Sequence, residues 1–81
     1  MSLTYATYLR IIELCDERNI SVNKLCERAG VSQSTLSNYS SDRTTNISLI
    51  PIHKICLYLK ISLSDFFNNS VFNEINIDLY K

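Results

Sequence analysis

Apolar residues recur three and four positions apart along most of this chain, a helical period that holds as far as Phe67. Five helices follow from it. The first spans about Thr4 to Arg18, with Tyr8, Ile11, Leu14 and Cys15 as its inner stripe and Arg10, Glu13 and Glu17 off that stripe. Asn19 stops it and Ile20 plugs the gap beyond. The second takes Ser21 as N-cap and runs through Ala29, where Gly30 supplies a left-handed residue to end it. The third takes Ser32 as N-cap and reaches about Ser40. A polar loop, Ser41–Ile47, leads to Ser48, the cap of a fourth helix ending near Lys60. Pro51 sits in its first turn, where a missing amide does little harm, and Leu49, Ile52, Ile55, Cys56 and Leu59 form its inner face. Ser62 opens a short fifth helix in capping-box spacing with Asp65, and Phe66 and Phe67 close the core.

The third helix has an unusual composition. Only Leu36 and Tyr39 are apolar, and the rest is Gln33, Ser34, Thr35, Ser37, Asn38 and Ser40. Solvated helix faces favour Lys and Glu, which have better helix propensity than Ser, Thr or Asn. A helix so rich in neutral hydrogen-bonding groups therefore calls for a purpose other than solvation. The tail differs again. Glu74 to Tyr80 alternates polar and apolar residues, a strand period, and a lone strand cannot satisfy its own backbone. It must pair with a second copy, dock on the helices or stay disordered.

Composition narrows the field. One glycine and one proline in 81 residues is too few for a turn-rich β fold. Three cysteines, Cys15, Cys26 and Cys56, form no close pair, and one histidine, His53, cannot complete a zinc site with them; small reduced core thiols are the simpler reading. No metal and no cofactor is expected. Met1–Thr7 lacks the basic start and apolar run of a signal peptide, and no apolar run approaches the ~20 residues that span a bilayer. A soluble, cytoplasmic protein without membrane association is expected. No glycine-rich phosphate loop, nucleophile elbow or spaced Cys–His pair is present, so no catalytic residue is assigned and an enzyme is not expected.

The net charge is zero, which counts against non-specific attraction to nucleic acid. Segment 21–46 holds Lys24, Arg28 and Arg43 against Glu27 and Asp42, a surplus of a single charge. Any DNA binding must then lean on neutral donors, helix N-termini and two-fold avidity. Phe66, Phe67 and Phe72 carry no interleaved basic residues, so they read as core or dimer contacts and not as a base-stacking platform.

Residues 22–41 fill every structural position of a bihelical DNA-reading unit. Two short helices crossing over a tight turn need a small residue at the crossing (Cys26), a turn glycine (Gly30) and apolar pins (Leu25, Ala29, Val31, Leu36 and Tyr39). This segment, followed by Ile55-Cys56 and by Leu59 to Phe67, resembles the phage repressor/Cro-type (XRE family) helix-turn-helix domain over about residues 8–67. The resemblance implies an all-α, five-helix repressor-like domain at 1–67, with 68–81 as a C-terminal extension that is a possible strand and dimerisation element.

By the same resemblance the third helix enters the major groove of double-stranded operator DNA. Its base-reading positions fall on Gln33, Ser34, Thr35, Ser37 and Asn38. Gln and Asn can pair bidentately with adenine, and Ser or Thr can bond base or phosphate. Phosphate contacts fall on Ser21, Val22, Asn23 and Lys24 at the second helix and on Ser41, Arg43 and Thr44 beyond the third. The implied function is a sequence-specific transcriptional regulator, a repressor, working as a homodimer through Phe67, Phe72, Ile75, Ile77 and Leu79.

Three departures from the family pattern stand out. Val22 replaces a frequent Gln, which reduces one phosphate clamp to a backbone amide. Many members pair an Arg at the place of Cys15 with a Glu at the place of Ser40; both are absent here, so no buried charge is stranded. Cys26 and Cys56 stand where Ala is usual. The zero net charge and Val22 also suit an alternative: a protein-interaction module of the same fold, antitoxin- or anti-repressor-like, with weak or no DNA binding and a protein partner.

Overall fold

The computed structural model describes residues 2–41 and 46–73, and these are helical: α1 (Leu3–Glu17), α2 (Val22–Ala29), α3 (Gln33–Ser40), α4 (Leu49–Leu59), α5 (Leu63–Phe67) and a terminal 3-10 turn, Ser70–Asn73. The all-α, five-helix architecture expected from the sequence is the one observed. Arg43, Thr44, Ile75, Ile77 and Leu79 lie outside the described residues.

Local chemistry sets nearly every boundary. Each of the five helices begins behind a serine in extended backbone: Ser2, Ser21, Ser32, Ser48 and Ser62. Each hydroxyl accepts a hydrogen bond from an amide two or three residues on, satisfying a donor that the helix cannot. Ser2 moves the start of α1 one residue ahead of the expected Thr4.

Three helix ends share one closure. Ile20 N donates to Cys15 O at 3.1 Å, Val31 N to Cys26 O at 3.0 Å and Ile61 N to Cys56 O at 3.0 Å. The residue before each donor is left-handed: Asn19 (φ 54°), Gly30 (φ 73°) and Lys60 (φ 59°). All three cysteines thus sit in the same place, on the last turn, under an apolar residue that follows the turn. A small apolar side chain suits this spot, and all three are buried.

The core gathers Ile11, Leu14, Leu25, Leu36, Ile52, Ile55 and Phe66 with those cysteines. Each fully buried aliphatic or aromatic side chain contributes about 1.5–3 kcal/mol. α1 packs on α3, α2 on α4 and α4 on α5, while the 3-10 turn lies against α1.

Three positions depart from the helical-period reading. Arg10, expected off the inner stripe, is buried; its Nε donates to Phe66 O at 2.7 Å and its Nη2 to Asp65 O at 2.9 Å. Its Nη1 pairs with Glu13, which also accepts from Asn69 Nδ2 at 2.7 Å. Leu49, expected on the inner face of α4, is 58% exposed in the first turn of that helix, where it lines a surface groove with Leu3 and Phe67. Phe67, expected to close the core, is 38% exposed, and Phe66 alone is fully buried there. A five-residue helix can turn only one of two adjacent rings inward.

Candidate nucleic-acid interface

α3 is held from behind and open in front. Leu36 and Tyr39 are buried and pin it to the core, while Gln33, Ser34, Ser37 and Asn38 are exposed. Burial pushes the Tyr39 phenol above its usual range, keeping it neutral. The turn into α3 is set by Gly30 and by the Val31 amide bond already described. A Cβ at Gly30 would meet nothing within 4 Å, so only its backbone conformation calls for glycine.

The five expected base-reading residues are not equivalent. Ser32 Oγ accepts from Thr35 N at 3.2 Å and lies 2.7 Å from Thr35 Oγ1, so the Thr35 hydroxyl is tied into the cap and its side chain is half-buried. Ser34 Oγ lies 3.2 Å from the same Ser32 oxygen, at the rim of that cluster. Gln33, Ser37 and Asn38 are the side chains most fully presented. At the far end, Ser40 Oγ and Ser41 Oγ donate to Ser37 O at 2.8 and 2.9 Å, closing the helix with their own hydroxyls. The Ser41 proton is thus spent inside the helix, and the hydroxyl must turn away from Ser37 O to donate to a phosphate oxygen.

Two clefts flank α3. One, of about 300 Å³, is lined by Gln33, Leu36, Ser37 and Ser40 on α3, by Val22 and Asn23 at the start of α2, and by Tyr8 of α1. The other, of about 250 Å³, lies between Thr35, Asn38 and Tyr39 on α3 and Asn46, Ser48 and Pro51 on the approach to α4. The α2 start thus meets the reading helix directly. Ser21 Oγ accepts from Lys24 N at 3.1 Å, leaving the Val22 and Asn23 amides at the open end of the helix, where the backbone dipole favours an anion. Val22 is half-buried against the core, so its contribution here is its amide and not its side chain. Lys24 is exposed on the same turn.

The periodicity reading missed Tyr8, Asn46 and Ser40 as lining residues. Tyr8 counted as core stripe, yet it is half-buried and reaches the first cleft. An amphipathic ring at the edge of an apolar stripe is the signal that marks such a residue. Asn46 and Ser40 carried no signal, since polar residues in loops and at helix ends are ordinary. Phe67 and Phe72 lie away from these clefts; their ring centroids are 5.2 Å apart, and Phe72 is half-buried beside Phe66.

Among the described residues no helix is long and apolar enough to cross a membrane, and no three His, Cys, Asp or Glu side chains converge on a metal-sized site. Searches of curated proteins and of solved structures returned no match to this chain. A family model does match, that of the Cro/C1-type helix-turn-helix DNA-binding domain, over residues 10–69, a span that takes in α2, the turn at Gly30, α3 and the helices that carry them. With most of its length inside that match, the chain belongs to the Cro/C1-type helix-turn-helix family and is a DNA-binding domain.

Proposed function

We propose that this domain is a sequence-specific transcriptional regulator, a repressor, that reads the major groove of a short pseudo-palindromic operator with α3 as a homodimer. The observation that carries the reading is the build of α3: neutral hydrogen-bonding side chains exposed in front, apolar pins buried behind. Gln33, Ser37 and Asn38 read base edges, with Ser34 and Thr35 at the helix start serving base or phosphate. Phosphates are held by the Val22 and Asn23 amides, Ser21 and Lys24, together with Arg43 and Thr44, and by Ser41 once its hydroxyl turns from Ser37 O to donate outward.

In this reading residues 1–67 form the DNA-binding unit and 68–81 an extension that joins two copies through Phe67, Phe72, Ile75, Ile77 and Leu79. Two α3 helices then lie about 34 Å apart, one turn of DNA. The domain works in the cytoplasm and needs neither cofactor nor metal. With ~3 Lys or Arg phosphate contacts per subunit, the dimer's log–log salt slope is about −5.

The test is titration of the purified protein onto fragments of its own upstream region at two salt concentrations, followed by fluorescence anisotropy. Tight, fragment-selective binding that Gln33→Ala abolishes is the expected result. Weak binding, equal across fragments, overturns it.

That outcome would favour a second reading, a protein-interaction module of the same fold. The observation on its side is the outer face of α4, where Ile50 and Leu57 are 67% and 64% exposed on a chain of zero net charge. In that case a protein partner maps to α4, α5 and the tail, and Arg43→Glu leaves its binding unchanged.

A further inference from the structure

An apolar groove of about 180 Å³ opens between Leu3, Thr7, Ile47, Leu49, Ile52 and Phe67. Three of these, Leu3, Leu49 and Phe67, are 43%, 58% and 38% exposed, which accounts for the failure of Leu49 and Phe67 to enter the core. Apolar side chains grouped around a concave surface gain about 25 cal/mol for each Å² covered.

We propose that the occupant of this groove is the chain's own C-terminal segment, residues 74–81, lying extended beside Ser2 with Ile75, Ile77 and Leu79 seated in it. Three independent observations point there. Ser2, buried immediately before the groove-lining Leu3, has an extended backbone (φ −83°, ψ 161°). An extended backbone beside the groove offers its edge to a second extended segment.

The route of the chain is the second observation. The 3-10 turn packs on α1, and the Phe72 ring lies tilted 5.2 Å from that of Phe67, which lines the groove. The chain therefore leaves Asn73 close to the groove. Eight extended residues span about 26 Å, enough to cross a molecule 24 Å by 20 Å in its shorter dimensions.

The third is the pattern of the segment. Ile75, Ile77 and Leu79 alternate with Glu74, Asn76 and Asp78, so an extended backbone turns all three apolar side chains to one face. The other segment near Ile47, residues 42–45, is Asp-Arg-Thr-Thr and has no aliphatic side chain to offer.

Docking in this way settles the backbone of an otherwise unpaired strand, one edge of it against Ser2. Its other edge stays open for a second copy, so with the segment docked the proposed dimer contact passes from the Ile75, Ile77 and Leu79 side chains to that backbone edge, and the inference does not depend on DNA binding.

The test uses the full chain with Leu49→Cys and Ile77→Cys and a short bismaleimide linker, the three native thiols being buried. Intramolecular linkage is expected at least roughly tenfold faster than in a Leu57→Cys/Ile77→Cys control, whose α4 site lies about 12 Å further along the helix. The product should have the mass of one chain. A product of two-chain mass assigns the groove to a second copy's segment and overturns the proposal; equal rates in the two pairs overturn it as well. Should the double variant misfold, Ile77→Asp with Leu49→Cys serves instead. Severalfold faster labelling than in Leu49→Cys alone, at unchanged helicity, is expected, and unchanged labelling refutes the docking. Neither readout involves DNA, so failure here and failure of the regulatory reading are separate results.

Discussion

The Arg10 Nε donates to the carbonyl of Phe66 at 2.7 Å, joining the middle of α1 to the end of α5 across 56 residues of sequence. The same guanidinium reaches Asp65 O, pairs with Glu13 and stands 5.9 Å above the Phe66 ring. One buried cation thus satisfies the Phe66 carbonyl and shares the Asp65 carbonyl with the Asn68 amide that caps α5. Removing it strands the buried Phe66 carbonyl and takes one of two donors from both Asp65 O and Glu13, which keep bonds from Asn68 N and Asn69 Nδ2. Arg10→Ala is expected to destabilise the domain by about 3 kcal/mol in urea unfolding. Arg10→Lys should lose about 1–2 kcal/mol, because a single ammonium cannot reproduce the fork. A loss under about 0.5 kcal/mol for the alanine variant, the range of ordinary surface changes, would show that the cluster is not structural.

Gln33 and Lys24 separate base reading from phosphate attraction. Gln33→Ala should weaken operator binding by about 1–3 kcal/mol and relax preference at one base pair. Since Gln33 is exposed, its unfolding free energy should stay within about 0.5 kcal/mol of the parent. Lys24→Gln should weaken all sequences alike and lower the magnitude of the salt slope by about one per contact removed. Equal losses on operator and random DNA for Gln33→Ala would remove it from the reading set.

Gly30 and Lys60 hold the same left-handed conformation at equivalent helix ends, yet only one is glycine. Opposite effects follow. Gly30→Ala should cost about 1–2 kcal/mol, all of it conformational, because open space surrounds the missing Cβ. Lys60→Gly should instead stabilise by roughly 0.5–1 kcal/mol, the relief of left-handed strain less the added freedom of the unfolded chain. Thermal unfolding of the two variants checks both signs.

Burial pushes the thiols of Cys15, Cys26 and Cys56 above the usual range; neighbouring Asp16 adds to this at Cys15, and Arg10 opposes it at Cys56. The folded state therefore keeps protons that the unfolded chain releases. The resulting stability is complete below the ordinary thiol range and is lost as pH climbs through the raised values. Urea midpoints should fall on going to alkaline pH, and replacing the three cysteines with alanine should flatten that fall. Iodoacetamide should label the native protein only at the rate of its opening. Rapid labelling of all three thiols at neutral pH would contradict their burial.

The two halves of the structure were unequally legible. Serines at 21, 32, 48 and 62, the glycine at 30 and the apolar spacing between them carry the helix boundaries in their own local chemistry. A cap hydroxyl or a left-handed residue acts on amides two to four positions away. The polar composition of α3 was likewise local, whereas the expectation that this helix faces DNA came from the resemblance carried by residues 22–41. The recurring cysteine at the last turn of three helices was visible as three residues but not as one motif, because its meaning lies in a hydrogen bond that forms after the chain has turned.

Sequence by itself determined where the helices begin and end and which of them is dressed in neutral hydrogen-bonding groups. Tertiary structure alone decided which side chains those helices could cover. Arg10 went inside because α5 brings two carbonyls to it, and a buried cation is tolerated only where such acceptors converge. Leu49 and Phe67 stayed partly outside, where they line an apolar surface groove with Leu3, Thr7, Ile47 and Ile52. Tyr8 and Asn46 came to flank α3 through the packing of α1 and the approach to α4. Periodicity reports which face of a helix is apolar; how far the neighbouring helix extends over that face depends on contacts between residues tens of positions apart.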